Sequence, residues 1–135
     1  MRRCVAIGLC LLVFAELGRV EADEQADELA RLAGHYTAKS SVRLGQPPAT
    51  QEVLKGLTLE IKNDDWVQKF RGDTAPYKIK FDLAYHTKAM RLIHQRVPAA
   101  RNCSYVLQDD LLTVTELLGD DGDMTVTVWK RKPNK

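Results

Sequence analysis

Tyr77-Lys78-Ile79-Lys80-Phe81-Asp82 sets three large apolar side chains at every second position, with charged residues between and after them. Side chains alternate across a strand, so this stretch makes a strand with one dry face and one wet face. The same period of two recurs on both sides of it. Leu57, Leu59 and Ile61 alternate with Thr58, Glu60 and Lys62, and Asn63-Asp64 supplies a hairpin turn into Trp66–Arg71. Upstream, Tyr36, Ala38, Ser40 and Val42 form a first strand. It ends at Gly45-Gln46-Pro47-Pro48, because proline lacks the N–H that a ladder needs. Ala49–Gly56 reads as a connecting segment.

Downstream, Lys88–Arg96 reads as a fifth strand in which Met90 and Leu92 compete with Ile93 for the inner face, a conflict that a bulge would reconcile. Cys103, Tyr105 and Leu107 lead to a turn at Gln108-Asp109-Asp110, after which Leu112 and Val114 run through Thr113 and Thr115 toward Leu117. Gly119-Asp120-Asp121-Gly122-Asp123 then reverses the chain into Met124, Val126 and Val128, which alternate with Thr125, Thr127 and Trp129. That gives eight strands. The one helical pattern lies at the start, where Ala26, Leu29, Ala30, Leu32 and Ala33 recur at steps of three and four before Gly34. Without helical crossovers between strands, neighbours pair antiparallel. The expected fold is all-β: an antiparallel up-and-down eight-stranded barrel behind a short N-terminal helix, closed so that no edge is exposed. An open sandwich is the alternative.

Residues 1–22 carry the features of an export signal. Arg2 and Arg3 give a basic start, Cys4–Ala15 is an apolar run ended by Glu16, and Val20-Glu21-Ala22 precedes a cleavage point at Asp23. The apolar run is about 12 residues, short of the roughly 20 that span a bilayer as a helix, so no stable membrane span is expected after cleavage. The expected location is outside the cytoplasm, periplasmic or extracellular, and residues 23–135 form a single domain. Cleavage removes three arginines and two glutamates, leaving 17 basic and 16 acidic residues, a net charge of about +1. No block of basic residues remains that would read phosphates, which argues against nucleic acid as a partner. Two of the three cysteines leave with the signal, so Cys103 has no internal disulfide partner and reads as a buried thiol.

Several short segments together are similar to a known family. Leu32-Ala33-Gly34-His35-Tyr36, Gly45-Gln46-Pro47-Pro48, Leu54-Lys55-Gly56-Leu57, Tyr77-Lys78-Ile79, Tyr105-Val106-Leu107 with Leu111, and Trp129-Lys130-Arg131 resemble an exported, lipocalin-like domain family abundant in planctomycetes. The resemblance covers about residues 27 to 132 and lies in spacing. It departs from the family at Tyr36, where a tryptophan is usual, and at Asp110, one place after the usual hairpin position. It implies a lipocalin-like barrel whose closed end holds the aromatic Tyr36 under a basic side chain of the last strand, by position Arg131. Such a contact contributes on the order of 1 kcal/mol and is structural.

Catalytic motifs are not evident. His35, His86 and His94 are too widely spaced for one helical metal motif, and His35 and His86 read as exposed. Asp120, Asp121 and Asp123 around Gly122 offer oxygen ligands, but no glutamate follows to close a calcium shell, so they read as a solvated turn. Strand parity points Glu60 and Asp82 away from the Leu59 and Phe81 face, which does not favour a glycosidase pair. The expectation is a protein that is not an enzyme and needs no cofactor or metal. Tyr36, Leu59, Ile61, Tyr77, Ile79, Phe81, Tyr105 and Val126 are expected to face a barrel interior that encloses a small apolar ligand. The alternative is a solidly packed barrel that serves as a structural or protein-interaction module.

Overall fold

The computed structural model describes residues 21–72, 75–93, 101–118 and 123–134. A helix over 21–32, α1, precedes β1 (Gly34–Arg43), a short helix α2 (Gln51–Lys55), β2 (Thr58–Lys62) and β3 (Asp65–Lys69). β4 (Tyr77–Ala84) and a 3₁₀ turn at Tyr85–Thr87 lead to β5 (Ala89–Ile93), β6 (Arg101–Gln108), β7 (Leu111–Leu118) and β8 (Asp123–Arg131). Each strand pairs antiparallel with the next, and β8 returns to β1, so the sheet is a closed eight-stranded barrel. The expected architecture is therefore present, and the sandwich is not. The segment expected to act as an export signal lies outside the described residues, except for its last two, Glu21 and Ala22, which open α1. Among the described residues no helix is long and apolar enough to cross a membrane.

The two expected hairpins at Asn63-Asp64 and Asp109-Asp110 form as two-residue turns, with Asn63 and Asp109 in the left-handed region that their short polar side chains tolerate. The segment read as a plain connection contains α2. Its N-cap Thr50 accepts from the Val53 N–H, and its buried Leu54 packs inward. Gly56 follows it, and a Cβ there would lie 2.1 Å from Cβ of Arg71, two residues past the end of β3. Only glycine lets β2 start against that chain.

In β4 Ile79 and Phe81 are buried as expected and Leu83 continues the dry face, while Lys78, Lys80 and Asp82 are exposed; Tyr77, expected on the dry face, is itself exposed at 46%. In β5 no bulge is needed. Its ladder with β4 runs without a shift, with Met90 opposite Leu83 and Leu92 opposite Phe81, and Met90 is buried. His94–Arg96, the rest of the expected fifth strand, lie outside the described residues.

Two sequence readings are corrected. In β1 the alternation does not continue to Val42, because the register with β8 shifts between Ala38 and Ser40. The extra residue flips the strand, so that Ser41 and Arg43 take the inward positions opposite Thr127 and Thr125. In β8 the inward residue is Trp129, which is 2% exposed, lies opposite Leu112, and meets the Trp66 ring edge-on at 6.3 Å between centroids. Val126 is therefore on the outer face, opposite Val42 and Thr115. Burying the largest side chain of the strand outweighs burying two valines, and parity then turns Thr125 and Thr127 inward.

This register predicts opposite outcomes at neighbouring positions. Trp129→Ala should cost about 3–5 kcal/mol of unfolding free energy in urea titrations, the range for deleting a core aromatic. Val126→Thr should stay within about 0.5 kcal/mol, as surface changes do. A loss above about 2 kcal/mol for Val126→Thr would put that residue inside.

Candidate binding site at the barrel mouth

The two ends of the barrel are built from different chemistry. At the end where β1 begins and β8 finishes, α1 lies across the opening and buries Leu32 completely. Tyr36 follows at 0% exposure, its hydroxyl donating to the Leu32 carbonyl at 2.6 Å and accepting from Arg131 Nε and Nη2 at 3.2 and 2.8 Å. The Arg131 guanidinium sits 5.3 Å from the Tyr36 ring centroid and also donates to the carbonyl of Arg31, tying β8 to α1. The cation-on-ring contact expected between Arg131 and Tyr36 is thus present. Gly34 has φ +153, and a Cβ there would press on Arg131 Nε at 3.3 Å, so this glycine gives the guanidinium its room.

A second anchor holds α1 from the other side. Glu28 is 7% exposed and accepts from Lys88 Nζ and from the Tyr105 hydroxyl, both at 2.9 Å, with Arg31 at 3.4 Å. Burial alone would raise the Glu28 carboxyl, but the hydrogen bonds from Lys88 and Tyr105 and the charges of Arg31 and Lys88 outweigh it and hold it below the ordinary carboxylate range. Burial, reinforced by the Glu28 carboxylate, pushes the Tyr105 phenol well above its usual range. Burial also raises Tyr36 against the opposing pull of Arg131. Both phenols therefore stay protonated and keep donating.

Above this floor the interior is filled. Leu59, Ile61, Ile79, Phe81 and Tyr105 lie between 1 and 4% exposed and pack with Trp66, Met90, Cys103, Leu112, Val114 and Trp129 in one cluster. Six of the eight residues expected to face a ligand, Tyr36 among them, therefore face one another. Tyr77 faces inward at the opposite end, where it is half-exposed, and Val126 is outside.

The opposite end is an open cup of about 610 Å³. Strand tilt carries each inward row from floor to rim. One row runs Leu83, Met90, Cys103, Glu116, Thr125 and Arg43, and another Leu59, Gln68 and Tyr77. The cup accordingly has Trp129 and Leu57 at its base, Ser41, Gln68, Glu116, Thr125 and Thr127 on its walls, and Phe70, Tyr77 and Arg43 around it. Ser41 Oγ and Thr127 Oγ1 are hydrogen-bonded at 3.1 Å. Trp66 Nε1 donates to Gln68 Oε1 at 3.2 Å, and Arg43 Nη2 lies 2.5 Å from Asp123 Oδ2. Sequence reasoning missed nearly all of these residues, because the alternation of polar with apolar positions marks the dry face of a strand and not a wet interior. A separate depression of about 490 Å³ lies outside the barrel between α1 and the Tyr85–Thr87 turn, but Glu21 and Ala22, which line it, precede the expected cleavage point.

The other candidate groups do not reach the cup. His35 is exposed, 3.9 Å from Glu60, and His86 lies in the 3₁₀ turn, both at the closed end. His94 and Asp120–Gly122 lie outside the described residues, whereas Asp123 pairs with Arg43. Cys103 is buried and free of disulfide. Among the described residues no group of three histidines, cysteines or acids is placed to hold a metal ion. Compared with protein-family models, curated proteins and solved structures, the chain matches none.

Glu28 provides a pH test of the floor. Because its carboxyl is lowered in the folded state, its stabilisation is present above the unfolded value near 4.5 and is lost as pH falls through the folded one. Glu28→Gln should lower stability by about 1–3 kcal/mol at pH 7. In urea unfolding from pH 7 to 3, the gap between the two proteins should narrow below pH 4.5. A constant gap would mean that the carboxylate charge contributes nothing.

Proposed function

We propose that this chain is an exported, lipocalin-like binding domain that takes one small molecule in the open half of its barrel. The observation that carries this is the cup of about 610 Å³ at the mouth, a size that suits a small ligand. The packed floor refines where the ligand sits. An apolar molecule enclosed by Tyr36, Leu59 and Phe81 would have to displace a filled core, whereas the cup is already open. Binding is favoured over catalysis because the cup is lined mainly by hydroxyl, amide and aromatic groups, with Glu116 the one acid of its described lining, while His35 and His86 lie at the far end.

A protein-interaction module is the second reading, supported by the outer face of β6, β7, β8 and β1. Ser104, Val106, Thr113, Thr115, Val126, Val128, Ser40 and Val42 share that face, with Lys130 further along β8, and Val106 is 60% exposed. The opposite outer face carries Glu60, Lys62, Lys78, Lys80 and Asp82.

Native mass spectrometry and a thermal-shift panel covering fatty acids, retinoids, aromatic amines and alcohols should find at least one binder. Phe70→Ala should weaken it by about tenfold while changing stability little, because it sits at the cup and outside the packed floor. A panel without any binder would remove the small-molecule reading and leave the outer face as the working surface.

A further inference from the structure

We propose that Gln68 sets the ligand class of the cup: an apolar-bodied molecule bearing a carbonyl or hydroxyl oxygen that accepts from the Gln68 amide. This inference rests on the binding reading above and names its ligand class.

Gln68 follows Trp66 by two residues on β3, so both side chains point inward, Trp66 buried in the packed floor and Gln68 half-buried on the wall of the cup. The floor then fixes how the amide is turned. A tryptophan N–H can only donate, a buried one is costly to leave without an acceptor, and this one donates to Gln68 Oε1 at 3.2 Å. The oxygen of Gln68 is thereby committed to the core. Its amide nitrogen, which can only donate, is the end turned away from Trp66 and toward a ligand in the cup.

The second polar station of the cup is less selective. Ser41 Oγ and Thr127 Oγ1, hydrogen-bonded at 3.1 Å, keep donor and acceptor capacity between them beyond that bond, so they can meet a group of either kind. They stand two and three strands round the wall from Gln68. Trp129 and Leu57 at the base suit the apolar body of the ligand and exclude water beneath it. The contact with a fixed sense is therefore the Gln68 donor. A molecule of the same shape without an acceptor would cover that amide and leave its N–H groups without a partner, which is how a polar site rejects an apolar analogue.

The test is isothermal titration of three probes that share one ring system: 2-acetonaphthone, 2-naphthalenemethanol and 2-isopropenylnaphthalene, the last matching the ketone in shape with a methylene in place of oxygen. The ketone and the alcohol should each bind at least about threefold more tightly than the hydrocarbon, although the hydrocarbon gains more from leaving water. Gln68→Glu keeps an oxygen for Trp66 and, ionised at pH 7, removes both N–H donors. In it the ketone should weaken by about threefold or more, while the alcohol, whose O–H can turn to the new carboxylate, should change by less than about twofold. If that variant folds poorly, the Gln68 side-chain amide resonances of the ¹⁵N-labelled wild-type protein provide the check, and they should shift further with the ketone than with the hydrocarbon. The hydrocarbon binding as tightly as the ketone, a ketone affinity unmoved by Gln68→Glu, or Gln68 amide resonances that stay still as the ketone binds would each overturn the proposal. If the three probes fail while an aromatic amine binds, the selection by Gln68 is wrong and the binding reading stands. If no compound of any class binds, the binding reading fails and this one with it.

Discussion

The seam between β1 and β8 closes the barrel, and the register shift between Ala38 and Ser40 decides what the upper half of the barrel contains. Below the shift, Tyr36 and Ala38 face in and join the floor. Above it, Ser41 and Arg43 face in, opposite Thr127 and Thr125. Without the extra residue, Ser40 and Val42 would take those positions and the outer face would gain an arginine. The bulge leaves Lys39 out of the ladder, a local cost that a closed barrel of eight strands distributes over many other hydrogen bonds.

A polar mouth is compatible with a stable fold only because the floor is complete. Burying each large apolar side chain contributes about 1.5–3 kcal/mol, and the cluster from Leu32 to Trp129 gathers fifteen buried residues. The polar groups trapped there are satisfied: the Tyr36 hydroxyl bridges the Leu32 carbonyl and Arg131, and Glu28 accepts from Lys88 and Tyr105. A half-satisfied set at that depth would cost more than it returned. With α1 pinned by Arg131 on one side and Lys88 on the other, that end is shut, and access to the interior is left to the end lined by Gln68, Glu116 and Thr125.

The strand count, the antiparallel order, the hairpins and the N-terminal helix were legible because each rests on a local signal: Ile79 and Phe81 between charges, Asn63-Asp64 between apolar runs, Gly34 after the helical spacing. α2 was not, since five residues supply less than two turns of periodicity, although Thr50 three residues before Val53 is a cap signal. The β8 face is not legible from the number of apolar residues, since Met124, Val126 and Val128 outnumber Trp129. The bulk of Trp129 decides it, and two threonines then face a cup that water can enter. The bulge in β1 left no local mark in the sequence. It follows from the partner strand, which the spacing of one strand cannot reveal. The site was illegible for the same reason, since the cup is made of the inward positions that look like surface.

The division into a filled floor and an open mouth is tested most directly by titrating 2-naphthalenemethanol into ¹⁵N-labelled protein and following amide chemical shifts. The account predicts that perturbations gather at Ser41, Gln68, Phe70, Thr125 and Thr127 while Ile61, Phe81 and Leu112 stay still. Shifts centred on Leu59, Ile61 and Phe81, or a titration that moves no resonance, would contradict it.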